Sequence, residues 1–199
     1  VFVSNYDVRY LEEVEHAISS LPEQWKTIDV LINNAGLAAG MNTIQEGNFE
    51  DWNRMIDTNV KGLLYVSRLI APLMIKRQCG HIINIGSVAG KDVYPNGNVY
   101  CATKYAVDAI SKAMRIDMLP YGIKVSQICP GAAETEFSLV RFHGDKTKAD
   151  NVYKGYQPLS GDDIADIVAY LLAMPKHVCI NDLTVTCLSQ ANALHFHKK

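Results

Sequence analysis

The sequence predicts an α/β fold in which helices cover both faces of a parallel sheet. Short runs rich in Ile, Val and Leu alternate with longer segments of helical periodicity. Uninterrupted apolar runs are typical of strands that are buried on both faces. Alternation of strand and helix along a chain favours a doubly wound parallel sheet. All 199 residues are expected to form a single domain of this kind.

Four apolar runs are the predicted buried strands. A fifth short run, residues 1–3, opens the chain before a polar turn and is also predicted to be a strand. It is expected to be the third strand of the complete sheet, so that a strand, a loop, a helix, a second strand and a second helix precede it. The four buried runs are IDVLIN (28–33), HIINIG (81–86), IKVSQIC (123–129) and DLTVTCL (182–188).

The predicted helices lie between these strands. Asn48 is a predicted N-cap for the second helix, and Ser160 stands near the start of the fourth. Residues 131–158 show no regular pattern, and a loop of that length in a compact domain is usually a functional lid or disordered. The helical segments are residues 10–20, 49–76, 98–118 and 161–173.

Composition limits the classes of function. Hydrophobic residues make up 48% of the chain, charged residues 20%, and the net charge is -2. No basic surplus indicates nucleic acid or an anionic membrane as a partner. The longest apolar stretch contains Arg68 and is too short to span a bilayer. The five cysteines form no CxxC pair and have no His at zinc-finger spacing, so we expect no metal and reduced thiols, as in the cytoplasm.

The strongest chemical signal is YCATK, which places Tyr100 and Lys104 four residues apart on a predicted helix. This spacing puts both side chains on one face. A nearby ammonium stabilises a phenolate and is expected to lower the tyrosine pKa, so that Tyr100 exchanges a proton near neutral pH. The alternative is an ordinary solvent-facing pair, which the bare spacing does not exclude.

Four other features surround this pair along the chain. Ser87 follows a buried strand, where ligands bind in α/β sheets, although a turn serine bonded to local backbone is the alternative. INNAG (32–36) and CPGAAET (129–135) each follow a strand, with small residues that allow a close backbone approach or an ordinary turn. Asn59 lies inside a predicted helix, where its amide either faces solvent or points at Lys104.

Together these features resemble the classical short-chain dehydrogenase/reductase family over essentially the whole chain. The resemblance implies a Rossmann-like dinucleotide-binding sheet and a nicotinamide cofactor. Its NNAG, Tyr-x3-Lys and PG-x3-T motifs and its Asp-Val pair all have counterparts here. Residue by residue, the catalytic tetrad falls on Asn59, Ser87, Tyr100 and Lys104, and the cofactor-binding positions fall on Asp7, Val8, Asn33, Ala35, Gly36, Tyr100, Lys104, Pro130, Gly131 and Thr135.

The resemblance also implies the role of each catalytic residue. Ser87 and Tyr100 would hydrogen-bond the reacting oxygen, and Tyr100 as a phenolate would remove the alcohol proton. Lys104 would favour that phenolate and reach the nicotinamide ribose. Asn59 would hold a water that relays protons from Lys104.

A narrower resemblance points to the NADP-dependent 3-hydroxy acid dehydrogenases. Segments such as INNAGLAAG, EDWNRMIDTN and ETEFSLVRFHGD carry it. It implies small substrates of the serine, allo-threonine and 3-hydroxypropionate type and NADP as cofactor. The wider family resemblance implies a homotetramer formed through the helices at 49–76 and 98–118. Arg141 in the irregular loop is the candidate partner of the substrate carboxylate, unless it is solvated or pairs with Glu134 or Asp145. His143 and Tyr156 are weaker candidates.

Two other functions stay open. One is ketoreduction of a bulkier substrate, such as a 3-oxoacyl thioester or a sugar. The other is a non-catalytic binding protein that kept the fold, because the family's glycine-rich T-G-x3-G-x-G fingerprint is not in this sequence. The first βαβα portion, which would hold that fingerprint and the residue that separates NAD from NADP, is expected to precede residue 1. These 199 residues alone are therefore expected to bind the cofactor poorly.

Overall fold

The computed structural model describes residues 1–199, and its centre is a four-stranded parallel sheet. The strands lie in chain order across the sheet, and each pairs in parallel with the next. All four predicted strands form, the first and the last shorter than expected. They are β1 (Val30–Asn33), β2 (Gly80–Ile85), β3 (Ile123–Pro130) and β4 (Asp182–Val185). The predicted burial is confirmed for β2 and β3, whereas the edge strands β1 and β4 are partly exposed.

Seven helices connect and cover the strands. Asn48 caps α2 as predicted, since its side-chain oxygen accepts the amides of Glu50 and Asp51. Ser160 caps α7 in a capping box with Asp163. No helix combines the length and the apolar character that a bilayer crossing requires. The helices are α1 (Leu11–Ser19), α2 (Phe49–Ile56), α3 (Leu63–Arg77), α4 (Asn98–Met118), α5 (Phe137–Arg141), α6 (Lys146–Tyr153) and α7 (Gly161–Leu172).

Both faces of the sheet are covered, as the buried apolar runs predict. Ile82 of β2 packs on one face against α3 residues such as Met74. Its neighbour Ile83 packs on the opposite face against Leu171 of α7. Consecutive residues of one strand thus enter different cores because side chains alternate across a sheet. The expected three-layer α/β architecture is confirmed.

The predicted strand at residues 1–3 is wrong for this structure. These residues adopt no strand, and the side chains of Val1 and Val3 are exposed. A strand is stabilised by backbone hydrogen bonds to a neighbour, and the described sheet begins at β1, with which residues 1–3 do not pair. The apolar composition of residues 1–3 is not sufficient for a strand when no neighbouring strand pairs with them.

The predicted long helix over residues 49–76 is interrupted by a π-helical turn at Asp57–Gly62. Asn59 in this turn directs its amide toward the loop after β1, away from the helix surface. Gly62 packs against Val8 so closely that a Cβ would lie 2.7 Å from a Val8 methyl group. The extra residue of a π turn accommodates both contacts, and such turns are frequent at functional sites.

The irregular segment 131–158 contains two short helices, α5 and α6, which the sequence did not predict. Asp145 begins α6 by accepting the amide of Lys148 at 3.1 Å. Ala149 of α6 is buried. Short helices with few apolar residues show only weak hydrophobic periodicity. The sequence therefore predicted a loop for this segment.

Candidate active site

The candidate active site lies at the carboxyl edge of the sheet, where β1, β2 and β3 end. Ser87 follows β2 and caps the short turn Val88–Gly90. Its Oγ accepts the amide of Ala89 at 3.1 Å and donates to the Pro130 carbonyl at 3.4 Å. The side chain is therefore held between the ends of β2 and β3, where ligands bind in α/β sheets.

Tyr100 lies in the first turn of α4 and is buried in a small apolar cluster with Met55 and Ala89. The Phe137 ring of α5 packs against it edge-on, with centroids 5.5 Å apart. Burial raises the pKa of Tyr100 above its usual value of 10, and the nearby Ser87 hydroxyl offsets only part of that effect. The segment predicted to act as a lid thus covers the candidate proton-transfer residue.

Lys104 lies one helical turn after Tyr100, also fully enclosed. Its Nζ donates to the Ile85 carbonyl at 2.9 Å and lies 5.9 Å from the centre of the Tyr100 ring. Burial lowers the pKa of Lys104 to about 8. The two side chains share one side of α4 as the spacing predicts, so the solvent-facing alternative is wrong.

The expectation that Lys104 lowers the pKa of Tyr100 is not met in this arrangement. The pKa of Tyr100 is raised because desolvation of the phenolate outweighs the favourable hydrogen bond and charge around it. The Lys104 ammonium points at the Ile85 carbonyl instead of the phenol. A further positive charge near the phenol would be needed to favour the phenolate.

Asn59 differs from the prediction that its amide points at Lys104. Its Oδ1 accepts the Leu37 amide at 2.8 Å, and its Nδ2 donates to the Leu37 carbonyl at 2.8 Å and to Thr103 Oγ1 at 3.0 Å. All three bonds are internal to the protein, and the side chain is buried. Asn59 therefore fixes the loop after β1 against α4 beside Lys104.

The described residues fit a nicotinamide cofactor at this edge. The ammonium of Lys104 has three N–H donors and one protein acceptor, which leaves two donors for ribose hydroxyls. A Cβ on Gly36 would lie 3.4 Å from both Lys104 Nζ and Asn59 Oδ1, so glycine keeps the space beside the ammonium open. An open cleft next to it is lined by Asn5, Tyr6, Asp7, Val8, Glu13 and Ala35, three of which the sequence assigned to the cofactor.

Three other residues predicted to bind the cofactor form hydrogen bonds within the protein. Asn33 turns its amide into the protein and donates to Ser67 Oγ at 2.9 Å and Asn84 Oδ1 at 2.8 Å, so its amide nitrogen is already engaged inside the protein. Thr135 lies two residues before α5, and its Oγ1 accepts the Phe137 amide at 3.2 Å. Gly131 follows Pro130 at the end of β3, and its amide donates to the Val185 carbonyl at 2.7 Å.

Arg141 of α5 is enclosed by three aromatic rings at the mouth of the site. Its guanidinium carbon lies 5.5 Å from the centre of the Tyr94 ring, 5.2 Å from that of Tyr100 and 5.7 Å from that of Phe137. The guanidinium also donates to the Tyr94 hydroxyl. Its Nε is buried and has no hydrogen-bond partner. Buried guanidinium groups normally find acceptors, so this donor lacks a partner that an anion could supply.

Neither alternative partner of Arg141 is observed. The side chain forms no ion pair with Glu134, and Asp145 pairs with Lys148 at 3.2 Å. His143 pairs with Asp51 at 3.2 Å and helps to hold the lid on α2. Tyr156 packs against Phe196 near the end of the chain.

Tyr94 is a site residue that sequence reasoning missed. It lies in the segment between Ser87 and α4 and is largely buried, which raises its pKa. Its ring packs on Gly97, where a Cβ would lie 2.5 Å from a ring carbon. The only signal in the sequence was its position between two predicted site residues.

The comparisons with known proteins agree with this geometry. A family model described as short chain dehydrogenase matches residues 1–145. The chain belongs to the short-chain dehydrogenase family. It is 42% identical over 193 residues to an NADP-dependent 3-hydroxy acid dehydrogenase of Schizosaccharomyces pombe, covering 97% of this chain and 74% of that protein. It is 43% identical to the Escherichia coli K12 protein of the same name, covering 100% of this chain and 81% of that one.

Solved structures give the same result. A closed form of serine dehydrogenase complexed with NADP+ matches with a TM-score of 0.95 and 43% identity, covering 100% of this chain and 81% of that chain. Serine dehydrogenase from Escherichia coli matches with a TM-score of 0.82 and 38% identity, covering 96% of this chain and 78% of that chain. The predicted family and Rossmann-like fold are therefore confirmed.

Proposed function

We propose that this protein is an oxidoreductase that transfers a hydride between NADP(H) and the 3-carbon of a small 3-hydroxy or 3-oxo acid. The observation that carries the proposal is the caged guanidinium of Arg141 over the Tyr100 ring, with a buried Nε that lacks a partner. A carboxylate supplies the acceptors that this group lacks. The relatives named NADP-dependent 3-hydroxy acid dehydrogenases support the same substrate class and cofactor.

The substrate oxygen is bound by Ser87 and Tyr100 in this proposal. Ser87 Oγ releases its weak 3.4 Å bond to the Pro130 carbonyl and donates to the substrate oxygen. In the oxidation direction the Tyr100 phenolate accepts the hydroxyl proton, and in reduction the phenol returns it. The bound nicotinamide supplies the hydride chemistry and, when oxidised, a positive charge that favours the phenolate. The positive charge of Arg141 over the ring also favours the phenolate form of Tyr100.

The remaining residues hold the cofactor and the geometry. Lys104 offers its two free N–H donors to the ribose, and Gly36 leaves room beside it. Asp7, Val8 and Ala35 line the adjacent cleft for the adenine side. Asn59 fixes the Leu37 backbone beside Lys104 and, as the family resemblance implies, would hold a water that relays protons from Lys104. Asn33, Pro130, Gly131 and Thr135 contribute backbone or shape.

We also propose that the 199 residues act as one domain of a cytoplasmic homotetramer. The alignment of 97% to 100% of the chain with single relatives supports the domain. Five free cysteines support a reducing compartment. The exposed apolar side chains of Leu64 on α3 and Tyr105 and Ile116 on α4 support association through these helices. Light scattering tests this state, and a monomer at micromolar concentration would contradict it.

A substrate panel tests the proposed activity. L-serine, L-allo-threonine and 3-hydroxypropionate should be oxidised with NADP, and NAD should be a poorer cofactor. Activity confined to 3-oxoacyl thioesters or sugars would favour the bulkier-substrate alternative. Binding of neither cofactor and no turnover by a longer chain that carries the glycine-rich fingerprint would favour a non-catalytic protein.

A further inference from the structure

A cluster of paired charges, the Lys91 cluster, lies beside the Ser87 turn and takes no direct part in the proposed reaction. Lys91 follows the turn Val88–Gly90, and its Nζ lies 2.6 Å from Asp108 Oδ1 and 2.7 Å from Asp182 Oδ2. Two cations and two carboxylates balance each other. The cluster consists of Lys91, Asp108, Lys112, Gln127 and Asp182.

Gln127 of β3 joins the two carboxylates from beneath. In the amide orientation that satisfies its hydrogen bonds, its nitrogen donates to Asp108 Oδ1 at 3.0 Å and Asp182 Oδ2 at 3.2 Å. A Cβ on Gly86 would lie 2.4 Å from an end atom of this amide. The residue directly before Ser87 is therefore packed against the cluster.

The Ser87 turn is also held on α4 at Lys104 and just after it. The Tyr105 hydroxyl donates to the Lys91 carbonyl at 2.5 Å, and Asp108 binds the Lys91 side chain one turn further along α4. A Cβ on Gly90 would lie 2.6 Å from the Lys104 carbonyl oxygen. The turn that begins at Ser87 is thus seated directly on the helix that carries Tyr100 and Lys104.

We propose that Lys91 is a positioning residue that sets the place of Ser87 relative to Tyr100 and Lys104. This inference rests on the proposed function. Its bonds join the turn to α4 through Asp108 and to β4 through Asp182, so one side chain holds three elements together. Asp108 is largely buried, and removal of its partner leaves a partly enclosed carboxylate less well paired. A shift of roughly 1 Å in such a group costs about 100-fold in rate at the extreme.

The test compares Lys91→Met with a matched control, Lys112→Met. Lys112 also binds Asp108, at 2.6 Å, but its side chain is 61% exposed and it does not touch the Ser87 turn. Lys91→Met is expected to lower kcat for 3-hydroxy acid oxidation by about tenfold or more, with KM for substrate and cofactor nearly unchanged. Lys112→Met is expected to leave kcat unchanged, and Lys91→Arg is expected to restore most of it.

A second variant covers the case in which Lys91→Met does not fold. Asp182→Asn replaces one carboxylate partner of Lys91 by a neutral amide, which removes the ion pair, and is expected to lower kcat in the same way with a smaller effect. Wild-type kcat in a folded Lys91→Met protein, or equal losses in Lys91→Met and Lys112→Met, would overturn the positioning role alone. Absence of wild-type activity on every 3-hydroxy acid would overturn the proposed function as well.

Discussion

The guanidinium carbon of Arg141 lies 5.2 Å from the centre of the Tyr100 ring. The first residue belongs to the lid helix α5 and the second to the central helix α4. Because Gly40 donates its amide to the Arg141 carbonyl at 3.0 Å, the lid is also tied to the loop after β1. A cation of the lid and the candidate proton-transfer residue therefore meet in one enclosed site.

Arg141→Leu should weaken the binding of substrates that carry a carboxylate more than the binding of uncharged substrates. We expect KM for 3-hydroxypropionate to rise roughly 30-fold, about 2 kcal/mol, because a charge-assisted pair with the carboxylate is lost. An uncharged alcohol should be affected much less. Steady-state kinetics of both substrates measure the difference. Lys148→Leu is the control, since Lys148 is an exposed cation of the same lid that pairs only with Asp145.

Tyr94→Phe should loosen Arg141 without removing its charge. The hydroxyl that accepts from the guanidinium is lost, while the ring beneath it stays. We expect KM for acid substrates to rise several-fold, because one hydrogen bond to a charged group is worth roughly 1.5–3 kcal/mol, only part of which reaches the substrate. An unchanged KM would show that Tyr94 does not orient Arg141.

Asn59→Ala should destabilise the fold. Three hydrogen bonds are removed, and the Leu37 amide and carbonyl lose their partner. The free energy of unfolding should fall by about 2–4 kcal/mol, measured by urea denaturation. Asn53→Ala, at an exposed position of α2, is the control and should change it little. Equal stability of the two variants would contradict the structural role of Asn59.

The fold was more predictable than the connections within the site. Apolar runs rich in Ile, Val and Leu identified all four strands, and the four-residue spacing placed Tyr100 and Lys104 on one side of α4. The π turn was not predictable, because it depends on contacts of Asn59 with Leu37 and Thr103, which lie 22 and 44 residues away in the chain. Residues 1–3 have the apolar composition of a strand but no neighbouring strand to pair with, and composition alone does not show which segments pair.

His81 should make stability depend on pH. Burial lowers its pKa from 6.5 to about 4, and its Nε2 lies 2.8 Å from Ser126 Oγ. The folded state then binds fewer protons than the unfolded state between these values, so stability is full above pH 6.5 and falls as pH drops toward 4. The loss amounts to about 3 kcal/mol.

The variant His81→Gln isolates this contribution. It should remove the part of the pH dependence that lies between pH 6.5 and 4, measured as the free energy of unfolding in urea at several pH values. His16→Gln, on α1, is the control and should preserve that dependence. Parallel curves for wild type and His81→Gln would show that His81 is not the responsible group.

Tyr100→Phe tests the central claim most directly. The ring and its contacts with Phe137 and Arg141 remain, and only the hydroxyl that exchanges the substrate proton is removed. Measured as kcat for 3-hydroxypropionate oxidation with NADP, the variant should lose roughly 10³-fold relative to wild type and bind NADP as the wild type does. Tyr170→Phe, at an exposed position of α7, should keep wild-type activity. A Tyr100→Phe protein that retains kcat within about tenfold of wild type would contradict the assignment of proton transfer to Tyr100.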